Sequence, residues 1–121
     1  KIIKKKVFIK FKSNEGSPDG MTLDKNKNLW VAHFHGACIS VFNTKSKLIH
    51  RIRFPAKNIT NCTFGGKNNN ELFVSTATKG MNKSDLQKFR YSGSLFSVKT
   101  NVKGFLQKKI ILSNEKKRSL L

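Results

Sequence analysis

The 121-residue sequence predicts an all-β chain built from the blade repeats of a β-propeller. Three observations carry this. The run from Met21 to Ala32 has a partner in the run from Thr60 to Ser75, each copy being a short strand, a polar turn and an apolar strand. Leu29 and Leu72, which open the second strand of each copy, stand 43 residues apart, and four-stranded propeller blades repeat every ~40–45 residues. Apolar residues fall at period 2 or in short continuous runs, without the 3.6-period stripe that a helical repeat would need.

The elements follow in order. Val7, Ile9 and Phe11 alternate with Phe8, Lys10 and Lys12, the pattern of a half-exposed outer strand. Leu29 to Phe34 is nearly continuous in apolar character, as in a strand covered on both faces. Cys38 to Phe42 makes a third strand, and Leu48 to Phe54 a fourth, alternating with charges and ended by Pro55. The second unit has strands near Thr60–Phe64, Leu72–Thr76 and Leu95–Val98, with a polar insertion from Lys79 to Ser94 before the last. Within it, Asn82 to Phe89 can form one or two helical turns capped by Asn82 or Ser84. Leu112 to Leu121 is charged and expected to fray.

The chain holds about 2.8 units of this period, whereas propellers close with ~4–8 blades. An open stack of blades would leave an inner face unburied. The sequence also starts at Lys1 in mid-pattern, so it is expected to be the C-terminal part of a larger propeller. On that reading residues 1–14 end an earlier blade, 15–57 form one blade, 58–112 form the last blade, and 113–121 are a tail.

The chemistry concentrates at Ser17-Pro18-Asp19-Gly20-Met21. Pro18 fixes its own φ and holds Ser17 extended, while Gly20 permits close backbone approach. An acid fixed this way, in a chain with six acids against 25 bases, suits either a cation ligand or a plain surface turn. His33 and His35, two apart on a strand, could face one zinc, but no third ligand stands nearby. Two imidazoles near a channel mouth are the simpler reading. Cys38 and Cys62 lie 24 apart on different blades and read as reduced core thiols. Asp24 is expected to cap its own turn, Trp30 to pack in a strand or line the channel, and Gly65-Gly66 to make a turn.

Pro18-Asp19-Gly20-Met21, Leu29-Trp30-Val31-Ala32, Thr63-Phe64-Gly65-Gly66 and Leu72-Phe73-Val74-Ser75-Thr76-Ala77 stand in an order that resembles the C-terminal third of the gluconolactonase/regucalcin (senescence marker protein) family. Gly93 to Val98 and Val102-Lys103-Gly104 resemble its last strands. The resemblance implies a six-bladed propeller of which this chain covers the last two to three blades. It implies one divalent metal (Ca²⁺, Zn²⁺, Mg²⁺ or Mn²⁺) in the central channel and hydrolysis of a sugar lactone. Asp19 matches the family's metal-ligating, catalytic aspartate, and a hard carboxylate suits such cations. The remaining ligands and most sugar-gripping residues are expected upstream of Lys1, so this chain alone is expected to be inactive. Thr78-Lys79 departs from the arginine common at that place in relatives. The alternative within the family is a calcium- or metal-binding propeller without enzymatic activity.

A net charge of +19 brings nucleic acid forward as a partner. The lysines are spread along the chain, however, many of them in predicted turns, and arginine is scarce. No specific nucleic-acid contact is therefore expected. No apolar run approaches the ~18–20 residues of a membrane span. The default location is the cytoplasm, and the expected partners are a sugar lactone and the N-terminal blades of the same protein.

Overall fold

The computed structural model describes residues 1–106. Strands β1 (Ser17–Leu23), β2 (Leu29–Phe34), β3 (Cys38–Phe42) and β4 (Leu48–Arg53) form one antiparallel sheet in the order β1-β2-β3-β4. Strands β5 (Asn58–Gly65), β6 (Glu71–Ala77) and β7 (Leu95–Lys99) form a second, in the order β5-β6-β7. The only α-helix among the described residues, α1 (Lys83–Lys88), lies in the connection from β6 to β7. The two repeat copies are thus the β1–β2 and β5–β6 hairpins, and the predicted strands from β2 onward lie within two residues of the observed ones.

The local reasons are visible in the chain. Asp24 to Asn28 and Gly66 to Asn70 supply the polar turns of the two hairpins. Asn82 caps α1, its side chain accepting from the Asp85 backbone N–H at 2.8 Å, while the Asp85 carboxylate accepts from the Asn82 N–H at 3.4 Å. β3 is buried along its whole length, between β2 and β4 within its sheet and with a covering layer on each face. β4, at the outer edge, alternates with charge and is largely exposed.

The two sheets pack face to face, with β5 against both β1 and β2. Trp30, Ala32, Ile39 and Val41 of the first sheet meet Ile59, Cys62, Phe64, Leu72 and Val74 of the second, with Phe54 and Ala56 of the linking segment closing the core. Ile39, Ile59, Leu72 and Val74 are fully buried, each contributing about 1.5–3 kcal/mol. Trp30 sits edge-on to Phe64 with ring centroids 5.2 Å apart. Of the two places expected for Trp30, it takes the packed one, in the core between the two sheets.

One predicted strand is absent. Residues 7–12 form no ladder, because the described chain offers this segment no neighbouring strand to bond. Its apolar side chains instead lie over the far face of the first sheet, lining an apolar groove with Pro18, Met21, Leu29 and Val31. Phe11 stacks on His33 at 4.3 Å between ring centroids and leans on Phe42. The tail expected from Leu112 lies outside the described residues.

At one end the sheets are tied together by a segment that follows β7. Lys25 donates to the Lys103 carbonyl at 2.7 Å, Asp24 and Gly104 form an antiparallel bridge, and Gly104 donates to the Asn69 carbonyl at 2.8 Å. Gly104 is required by close approach, since a Cβ there would stand 2.1 Å from the Phe64 Cβ. The opposite end carries the start of β1, the β2–β3 turn, the end of β4 and the α1 insertion.

Candidate functional site

Asp19 lies on that opposite end, in a β-bulge. Pro18 faces His33 and Met21 faces Val31, so Asp19 and Gly20 together oppose Ala32. The bulge re-aims Asp19, which is exposed and takes no hydrogen bond or ion pair among the described residues. Gly20 presses directly on β5: a Cβ there would stand 2.1 Å from Asn61 Oδ1 and 2.7 Å from Asn61 Cα. The close approach expected of Gly20 is thus made, and it anchors the bulge. Asn61 is a seat that sequence reasoning missed, because nothing local relates two residues 41 apart.

Both Asp19 carboxylate oxygens are available to a cation. One carboxylate is too few donors for a divalent ion, and among the described residues no three His, Cys, Asp or Glu side chains stand together to hold a metal. Asp19 by itself therefore makes no metal site among the described residues.

The histidine pair separates. His33 is fully buried, stacked under Phe11, with Nδ1 2.7 Å from the Glu15 carbonyl. A carbonyl only accepts, so Nδ1 carries the proton and Nε2 is a buried lone pair with no partner among the described residues. Burial is the main force holding the His33 pKa below its ordinary value, against the raising effect of the Glu15 carbonyl. His35 lies beyond the strand at φ 67°, its ring against Phe34 and its backbone N–H on Asn58 Oδ1. The two rings take different surroundings and do not converge on one ion.

The other candidates take structural places. Asp24 is fully buried and caps its turn, accepting from the Asn28 N–H, the Asn28 side-chain amide and the Trp30 indole N–H, all near 3 Å. The indole bond was not anticipated, although Asp24 opens the turn that leads into the strand carrying Trp30. Cys38 and Cys62 are free, buried thiols. Burial raises both, and pushes Cys62 up to about 12. Gly65 ends β5 and Gly66 lies in the turn. Thr78 and Lys79 open the α1 insertion, where the Lys79 carbonyl accepts from the buried Asn58 amide.

Two ion pairs brace this end. Glu15 meets Arg51 at 2.7 Å, and Lys57 meets Asp85 of α1. The Lys12 backbone N–H and then Arg51 hold the Glu15 carboxyl below its usual range, and Lys57 does the same for Asp85. Among the described residues no helix is long and apolar enough to cross a membrane.

Residues 1–78 match the family described as SMP-30/Gluconolactonase/LRE-like region. The chain is 37% identical over 97 residues to a Bacillus subtilis (strain 168) protein, YvrE, whose name assigns it provisionally as a sugar lactone lactonase; the match covers 79% of this chain and 33% of that protein. It is 35% identical over 95 residues to regucalcin of Danio rerio, covering 78% of this chain and 32% of the relative. Among solved structures it superposes on a luciferin-regenerating enzyme with a TM-score of 0.70 at 35% identity, over 82% of this chain and 33% of that one. It also superposes on a calcium-binding regucalcin of Agrobacterium tumefaciens with a TM-score of 0.80 at 24% identity, over 88% and 36%. The chain spans about a third of the length of the relatives it matches.

Proposed function

The chain belongs to the SMP-30/Gluconolactonase/LRE-like family, and from that premise we propose that the intact protein is a divalent-metal-dependent hydrolase of a sugar lactone. In this reading the chain supplies the last two to three blades of a six-bladed propeller, and Asp19 is one metal ligand. The observation that carries it is the Asp19 bulge: an exposed carboxylate without local partners, rigidly placed between Pro18 and the Gly20–Asn61 contact. The family resemblance of Pro18-Asp19-Gly20-Met21 and the lactonase name of the Bacillus subtilis relative support the reaction class.

Asp19 would hold the ion. When bound, the metal supplies a Lewis acid for the lactone carbonyl and lowers the pKa of water. The contribution of this chain is positional. The bulge keeps Asp19 fixed while substrate enters, so little ordering entropy is lost on binding. A carboxylate oxygen not used on the ion can accept the proton of an attacking water as the tetrahedral centre forms. Gly20 on Asn61 holds the carboxylate in register, and Pro18 limits its retreat from the site.

A second reading keeps the metal and drops the chemistry. The regucalcin relatives, among them the solved structure described as a calcium-binding protein, favour it. The deciding experiment uses the intact protein, assayed for lactone hydrolysis with Ca²⁺, Zn²⁺, Mg²⁺ and Mn²⁺ and for metal binding by calorimetry, as wild type and Asp19→Ala. Metal-dependent turnover lost in the variant supports the hydrolase. Metal binding by wild type without turnover of any lactone selects the binding protein. Equal behaviour of both proteins removes Asp19 from the site.

A further inference from the structure

At the same end of the first sheet, on the side of its outer strand, a second constellation is independent of Asp19. A polar pocket of about 230 Å³ is lined by Lys12, Asn14, Glu15, Gly36, Cys38, Arg51 and Arg53. Two of the chain's four arginines meet there, in a protein that otherwise relies on lysine for its positive charge. The pairing register explains the convergence: Cys38 faces Arg53 and Ser40 faces Arg51, so both guanidinium stems rise from β4 beside the start of β3, two residues apart and on one face.

The pocket is organised for an anion. Arg51 is held by its own partners, Nε donating to Ser40 Oγ at 2.9 Å and one terminal nitrogen to Glu15 Oε1 at 2.7 Å. The single acid is occupied, since Glu15 Oε2 also accepts the Lys12 backbone N–H at 2.9 Å. Arg53 and Lys12 form no ion pair among the described residues, although both line the cavity. Cys38, whose thiol burial keeps protonated, adds no opposing charge. Three cations and one acid leave a net positive pocket, and the guanidinium of Arg53, outside the ion pairs of the described residues, has a planar fork of donors that suits a tetrahedral oxyanion.

We infer that the Lys12–Arg51–Arg53 pocket is a binding site for a small phosphate-bearing anion, with Arg53 and Lys12 as its charged contacts and Arg51 as a prepositioned wall. The size favours a single phosphate group over a polyanion, because the Ser13–Glu15 turn and the neighbouring ends of β3 and β4 line a space of only about 230 Å³.

The test is calorimetric titration of inorganic phosphate into the intact protein, in buffer of fixed ionic strength. Wild type is compared with Arg53→Met/Lys12→Gln and with a charge-matched control, Lys45→Gln/Lys47→Gln. Lys45 and Lys47 lie in the β3–β4 turn at the opposite end of β4, so the control removes the same charge far from the pocket. All four side chains are exposed, and matched melting curves establish that each variant folds. Saturable binding with a dissociation constant on the order of 1 mM, weakened at least about tenfold in the pocket variant and unchanged in the control, supports the inference. Absence of saturable binding in wild type overturns it. Equal weakening in both variants also overturns it, because the effect then belongs to the overall charge of +19. Titration of a single-stranded oligonucleotide in parallel separates the source: binding of oligonucleotide without binding of free phosphate overturns the small-anion site.

Discussion

The two hairpins of this chain share a backbone and differ in chemistry. β5 carries the same one-residue bulge as β1: Ile59 faces Thr76 and Asn61 faces Ser75, leaving Thr60 as the extra residue. Counting back from the paired positions Leu23–Leu29 and Phe64–Leu72, Thr60 occupies the place of Asp19. Thr60 is tied down, its hydroxyl 2.8 Å from that of Ser75. Asp19 stands clear of such partners. A repeated backbone device thus presents a free carboxylate in one copy and a satisfied hydroxyl in the other. The repeat supplies the same bulge twice, and the side chain standing at it decides what chemistry is offered there.

The largest expected effect tests that asymmetry. Asp19→Ala in the intact protein should abolish metal binding at this site and lower lactone turnover at least ~100-fold, with little change in melting temperature because Asp19 is exposed. If stability falls with activity, the carboxylate is structural and the comparison breaks. The hairpin turns differ next. Asp24→Ala strips three donors of a buried acceptor and should destabilise by about 3 kcal/mol or more. The turn residue of the other copy, Asn69, makes one side-chain bond, to the Gly104 carbonyl, and stands at φ 56°, so its replacement by Ala should cost about 1–2 kcal/mol, less than Asp24→Ala. Chemical denaturation of the two variants ranks the turns.

Gly20→Ala drives a methyl into the backbone of β5 and should cost about 1–3 kcal/mol. Asn61→Gly in the same chain should restore only part of this, since the main chain at position 61 still stands in the way of the methyl. Full rescue would mean that the side chain alone forms the seat. Thr60→Val removes the bond to Ser75 at a cost of about 1 kcal/mol, and should leave metal affinity at Asp19 unchanged.

The smallest effect is on pH dependence. His33 is held neutral by burial, so its folded pKa lies below its unfolded value. The folded state then binds fewer protons than the unfolded state as pH falls. Stability contributed by neutral His33 is full above about 6.5 and declines below it. Glu15 and Asp85, also depressed, lose their contribution only lower, as pH falls through the carboxylate range. A melting temperature that drops between pH 7 and 5 in wild type, but is flat over that window in His33→Gln, checks the assignment. An unchanged slope would remove His33 as its source.

Much of this was legible in the chain. The period-2 runs and polar turns of the two copies located the strands from β2 onward, because alternation and turn chemistry act over a few residues. Asn82 announced α1, and Pro18 with Gly20 marked Asp19 as fixed. The alternation at Val7–Phe11 misled, since a strand exists only where another strand completes its hydrogen bonds. The indole of Trp30 on Asp24 was missed because the turn-capping reading already satisfied the carboxylate. His33 and His35 looked like a pair at period 2, but the second lies past the strand end, where that period no longer holds.

By itself, then, the sequence determined what local backbone preference and side-chain period determine: two β hairpins with their turns, a capped helix in the insertion, a rigid Pro-Asp-Gly segment and the family it resembles. Only the tertiary structure decided which residues far apart in the chain meet. It brought Gly20 onto Asn61, the Lys103–Gly104 segment between two turns, and Arg51 to Glu15 across 36 residues. The physical reason is that each of these meetings depends on how two sheets pack and in what register, which is set by the burial of the whole core and leaves no mark in any one segment.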